Sequence, residues 1–128
     1  MGSLALDASV IIALLDAGDA HHARAVAELD RRAAAPADLL IAATAYSEVL
    51  VRPLRDGHGD TVERFLERGP VEVVPVDRAV AREAASLRAR HTSLRLADAL
   101  VLASARMREA ELLSFDDRLR RIAEQHPS

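Results

Sequence analysis

The chain has 128 residues, half of them apolar, a formal net charge of −3 and no cysteine. That length suits a single domain over 1–128 with its own core, and the missing thiols exclude disulfides and thiolate metal sites. The negative balance excludes simple polyelectrolyte binding to nucleic acid, and no apolar run nears the roughly 18 residues of a membrane span, so a cytoplasmic protein is expected.

Leu4-Ala5-Leu6 is a short apolar run before Asp7 and predicts a first strand. Apolar residues over 10–15 predict a short helix, broken by 16–19 around Gly18, and an Ala-rich amphipathic helix follows over 20–34, ending near Pro36. Leu39-Leu40-Ile41-Ala42 predicts a second buried strand, after which Thr44 can cap a helix that Pro53 ends. A shorter helix is expected over 60–68, stopped by Gly69-Pro70, and the Val-rich stretch 71–76 is the clearest strand. Asp77 then caps a helix to about 90, a further helix covers 94–108, a strand covers 110–113, and Asp116 or Asp117 opens the last helix. Strands alternating with helices imply a parallel sheet with helices on both faces, and ligands in such sheets bind beyond the carboxyl ends of the strands.

Four acids fall at informative places. Asp7 and Asp116 follow predicted strands, where Asp is also an ordinary helix cap. Asp98 has Leu94, Val101, Leu102 and Ala105 at helical spacings, so it is expected to face the interior. There it must be paired with an Arg, protonated or bound to metal. Glu48 shares a face with Ala45 and Val51 and is, alone, an unremarkable helix residue. Together the four can converge as an all-oxygen site, which suits Mg²⁺ or Mn²⁺ rather than zinc. Such ions orient and acidify a water beside a phosphodiester.

Leu6-Asp7-Ala8-Ser9-Val10-Ile11-Ile12, Ser47-Glu48-Val49, Leu96-Ala97-Asp98-Ala99-Leu100 and Leu113-Ser114-Phe115-Asp116 resemble the four motifs of PIN-domain ribonucleases, in order and over nearly the whole chain. Within that family the resemblance is greatest to the VapC toxins of bacterial toxin–antitoxin pairs. It implies a three-layer α/β/α fold with a mostly parallel sheet of four or five short strands. It also implies Mg²⁺- or Mn²⁺-dependent endonuclease activity on RNA, and a homodimer held by a cognate VapB-like antitoxin. By the same resemblance, Asp7, Glu48, Asp98 and Asp116 form the metal cluster, and Ser9 and Ser114 support it from behind. Their hydroxyls equally suit ordinary helix-start and turn chemistry.

The chain departs from the pattern in two places. A final strand after the last helix has no counterpart in Gln125-His126-Pro127-Ser128, and Asp117 beside Asp116 leaves open which acid turns inward. Arg95 is placed to reach a phosphate or simply to sit exposed at a helix start, whereas His21-His22 reads as surface. All 17 basic residues are Arg, a coding bias that weakens any single Arg as a sign of function. The aromatics are confined to Tyr46, Phe65 and Phe115, too few for a base-stacking platform as the main recognition device. Helices 20–34 and 44–52 carry enough Leu and Ala to leave an apolar groove for an antitoxin helix, unless the core absorbs it. The rival readings are a housekeeping PIN nuclease of RNA processing and a non-catalytic PIN-like binding domain. A phosphorylated receiver domain is excluded because it needs a late Lys.

Overall fold

Strands β1 (Ser3–Leu6), β2 (Asp38–Ala42), β3 (Val71–Val74) and β4 (Ala110–Leu113) form a wholly parallel sheet in the order β3-β2-β1-β4. This is a computed structural model, and it describes residues 2–32 and 37–127. The helices are α1 (Ala8–Leu15), α2 (His22–Arg32), α3 (Ala43–Arg55), α4 (Gly59–Arg68), α5 (Arg78–Arg90), α6 (Leu96–Met107) and α7 (Asp117–Glu124). Ala5 lies between Leu40 and Leu112, and Leu6 is paired with Leu113.

The strands bury both faces, as the runs of apolar residues require. Leu4, Leu6 and Ile41 join one large core cluster, while Ala5, Leu40, Val74 and Ala110 join a second with Ala105 of α6. The result is the expected three-layer α/β/α arrangement. From β1 the chain steps through β2 to β3 on one side, then returns to place β4 on the other side of β1. That reversal opens a crevice between the carboxyl ends of β1 and β4, the place where open α/β sheets take ligands.

Several predicted boundaries move. Thr44 does not cap α3: Ala42 holds the cap position, and Thr44 lies within the first turn with its Oγ1 buried and unpaired. Pro53 does not end α3, which runs to Arg55. The ring removes only its own amide, and the next amides still bond, Asp56 N to Arg52 O at 3.0 Å and His58 N to Pro53 O at 2.6 Å. β3 stops at Val74, ahead of Pro75, and α6 starts at Leu96 rather than at 94, which puts Asp98 in its first turn. α2 begins at His22, and the predicted end near Ala34 and Pro36 lies outside the described residues. No fifth strand occurs among the described residues.

Candidate metal centre

Asp7 is the fixed point. It leaves the sheet at the end of β1, and its amide donates to Leu113 O at 3.0 Å, so its backbone is held as a rung between β1 and β4. Its side chain is buried, with Oδ2 accepting from Ser9 Oγ at 3.0 Å and from Ser114 Oγ at 2.8 Å. Ser114 is itself buried and also accepts from the Asp116 amide at 3.0 Å, while Ser9 Oγ accepts from the Phe115 amide at 3.2 Å. The loop after β4 is thereby laced to the turn after β1. Burial pushes the Asp7 carboxyl above its ordinary range; the two hydroxyls and the Ala8 amide oppose this, and the charge of Asp98 adds to it.

Glu48 rises above its ordinary range as well, through partial desolvation and then through the charges of Asp7 and Asp98, with Arg95 opposing. Its side chain is exposed rather than inward, and among the described residues it has no hydrogen-bond or ion-pair partner. Asp98 is half-buried, at 22% side-chain exposure, and Arg95 pairs with its Oδ2 at 3.3 Å. The expected deep burial of Asp98 is therefore softened, because its place in the first turn of α6 leaves one side open to the crevice. Arg95 keeps 74% of its side chain exposed and is spent, in this state, on that ion pair.

Asp116 serves α7. Its Oδ1 accepts from the amides of Arg118 at 3.0 Å and Leu119 at 3.2 Å. Asp117 instead points to solvent and pairs with Arg120 at 3.1 Å, so the cap that the sequence offered to either acid belongs to Asp116. Asp7, Glu48 and Asp98 are thus within electrostatic reach of one another, with Asp116 tied to them through Ser114.

Among the described residues no set of three or more acids or histidines closes into a ready cage for an ion. The chemistry of the set nonetheless fits one. Asp7, Glu48 and Asp98 are hard oxygen donors; Asp98 raises the proton affinity of Asp7 and of Glu48, Asp7 also raises that of Glu48, and among the charges acting on Glu48 only Arg95 offsets them. A divalent cation would relieve that repulsion. The unpaired Thr44 hydroxyl was missed as part of this region; it precedes Glu48 by one helical turn and so shares its face.

A groove of about 510 Å³ extends from Glu48 between α1, α3 and α4, lined by Ile12, Val49, Arg52, Pro53 and Val62 among others. A comparable cavity of about 540 Å³ opens near the amino ends of β1 and β4, around Ser3 and Ala110, and includes none of the four acids. No helix among the described residues is long and apolar enough to cross a membrane.

No curated protein sequence matches the chain significantly. Among solved structures, the chain is similar to a toxin–antitoxin complex from Klebsiella pneumoniae, at 22% identity and TM-score 0.75, over 90% of this chain and 88% of that one. It is also similar to the Mycobacterium tuberculosis toxin VapC20, which cleaves the sarcin–ricin loop, at 21% identity and TM-score 0.72, over 92% of this chain and 93% of that one. FitAcB from Neisseria gonorrhoeae matches at 22% identity and TM-score 0.70, over 94% of this chain and 93% of that one. These likenesses establish the fold, and a sequence-family model spans residues 4–125, nearly the whole chain. That model is the PIN domain and its match covers nearly the whole chain, so the chain belongs to the PIN domain family.

Proposed function

We propose that the chain is a divalent-metal-dependent endoribonuclease acting as the toxin of a toxin–antitoxin pair. The observation that carries this reading is the nearness of Asp7, Glu48 and Asp98, with the charge of Asp98 raising the proton affinity of both Asp7 and Glu48. Asp7, Glu48, Asp98 and Asp116 would hold Mg²⁺ or Mn²⁺. The bound ion would supply an acidified water and charge neutralisation at the scissile phosphodiester. Asp7 is kept in place by Ser9 and Ser114, so the centre starts from a rigid carboxylate. Asp98 would help hold the cation, and Arg95, which now pairs with it and is 74% exposed, would then be available to a substrate phosphate. Asp116 positions the loop after β4 through its cap on α7.

The toxin role is supported by the groove that leads from Glu48. Ile12 on its wall is 41% exposed, and Leu15, Val49, Pro53 and Val62 add apolar lining suited to an antitoxin helix. This groove lies between α1, α3 and α4, so α2 takes less part than its sequence suggests. The Klebsiella pneumoniae relative is a toxin–antitoxin complex, and we extend a cognate antitoxin to this chain; a homodimer is proposed on the family resemblance.

Purified protein should cleave single-stranded RNA with Mg²⁺ and not with EDTA. Induced expression should arrest growth, and co-expression of an antitoxin encoded beside it should relieve the arrest. Cleavage without growth arrest would favour a housekeeping PIN nuclease. Absence of metal-dependent cleavage would leave a binding domain.

A further inference from the structure

Phe115 stands between the two residues that hold and extend the site, Ser114 and Asp116, and its amide is bonded to Ser9. Its side chain leaves the crevice toward the start of α2. There the His21 ring lies 5.2 Å from the Phe115 ring, tilted by 34°, and the Arg24 guanidinium carbon sits 4.6 Å from the Phe115 ring centre. Phe115 itself is 9% exposed, whereas His21 and Arg24 are both exposed. The turn that presents them is held at several points. His22 Nδ1 meets Ala13 O at 2.7 Å, and the Asp19 carboxylate accepts from the His21 amide at 2.8 Å. An exposed imidazole and guanidinium are therefore fixed on an aromatic support, one backbone hydrogen bond from the serine that holds Asp7.

We propose that His21 and Arg24 form a nucleotide-binding shelf on the rim of the acidic centre. It would receive a nucleotide of a single strand flanking the scissile phosphodiester. The His21 ring offers a stacking face to a base, which any base can use. The Arg24 guanidinium, preoriented by Phe115, offers a fork to the adjoining phosphate. The pair supplies what the centre lacks. A net-negative protein with acids at its crevice repels a polyanion, and a cation held on the ring of Phe115, next in sequence to Ser114, gives the strand a register. The inference rests on the nuclease reading, since it specifies how that site holds its substrate.

The test compares wild type with His21→Ala, Arg24→Ala and Arg24→Lys, using a short fluorescent single-stranded RNA. Binding is measured in EDTA, and KM and kcat are measured with Mg²⁺. Arg24→Ala should weaken binding and raise KM by about tenfold, with kcat nearly unchanged, and should lower the salt slope of binding by about one. Arg24→Lys should restore the salt slope but only part of the affinity, because the ammonium lacks the planar fork. His21→Ala should raise KM by about five- to tenfold and leave the salt slope alone. If wild type cleaves RNA while binding, KM and salt slope are unmoved in all three variants, the shelf is wrong and the nuclease reading stands. If wild type binds RNA through these two residues and never cleaves it, the nuclease reading falls and the shelf survives. RNA that neither binds nor is cleaved overturns both.

Discussion

The Ser114 hydroxyl donates to the Asp7 carboxylate across 2.8 Å, joining residues that are 107 positions apart in sequence. This contact steadies a buried charge from a strand that the chain reaches only near its end. Ser114→Ala removes it and leaves Asp7 with the Ser9 hydroxyl as its remaining side-chain donor. We expect a loss of about 1 kcal/mol in stability, read from urea midpoints, and a roughly 10- to 100-fold fall in RNA cleavage. Full activity in this variant would show that Asp7 needs no such support.

Asp98→Asn and Glu48→Gln should each abolish Mg²⁺-dependent cleavage, by more than the roughly 10- to 100-fold typical of supporting residues, while the fold is kept. Circular dichroism and melting curves check the fold. Both side chains lie partly open to the crevice, so neither substitution empties a core position. Retained cleavage in Asp98→Asn would falsify the assignment of the centre.

Metal should stabilise the folded protein, and the sign follows from the raised carboxyls. Asp7 and Glu48 have folded values above their ordinary 3.8 and 4.5. Their contribution to stability is therefore complete below those values and is lost as pH rises through the folded ones. At neutral pH the metal-free protein carries that unfavourable charge. Added Mn²⁺ should raise the melting temperature, with about 2.7 kcal/mol of stabilisation at a hundredfold excess over Kd. Asp7→Asn should erase the shift. A melting temperature indifferent to Mn²⁺ would argue against a metal centre.

Asp116 and Asp117 should separate cleanly. Asp116→Ala removes the cap on α7 and is expected to cost about 1 kcal/mol, whereas Asp117→Ala, exposed and paired on the surface, should cost under about 0.5 kcal/mol. Asp116→Asn keeps a capping oxygen but not the charge, so it should fold like wild type and cleave poorly. Equal stability of the two alanine variants would contradict the cap.

At the far end of α7, His126 Nε2 meets His91 Nε2 at 2.8 Å, and Arg106 holds the His126 carbonyl at 2.7 Å. Burial, then the neighbouring His91, Arg106 and Arg90, pushes His126 below its ordinary 6.5. A depressed value means that the stability this group contributes is present above 6.5 and is lost as pH falls through the folded value. The melting temperature of wild type should therefore fall more steeply below pH 6.5 than that of His126→Ala, measured by scanning calorimetry on metal-free protein. Parallel profiles would show that the pair does not sense protons.

Periodicity and strand-end placement carried the fold a long way. Apolar runs ahead of Asp7 and Asp116 located β1 and β4, and the order of motifs picked out the acids proposed for the centre. Pairwise choices were not legible. Nothing local says that Arg95 bends to Asp98, that Asp116 rather than Asp117 caps α7, or that Glu48 faces out along a groove. Those depend on where α6 and α7 begin, and helix ends are set by competition among neighbouring donors. Phe115 was equally opaque: its partners, His21 and Arg24, lie some ninety positions upstream and read as ordinary surface.

The rung between the Asp7 amide and Leu113 O has a temporal meaning. β1 leaves the ribosome before β2, β3 and finally β4, so the crevice between β1 and β4 is shaped only after that last strand of the sheet has been made. Until then a growing chain carries Asp7, Glu48 and Asp98 without the edge strand that Asp7 is bonded to.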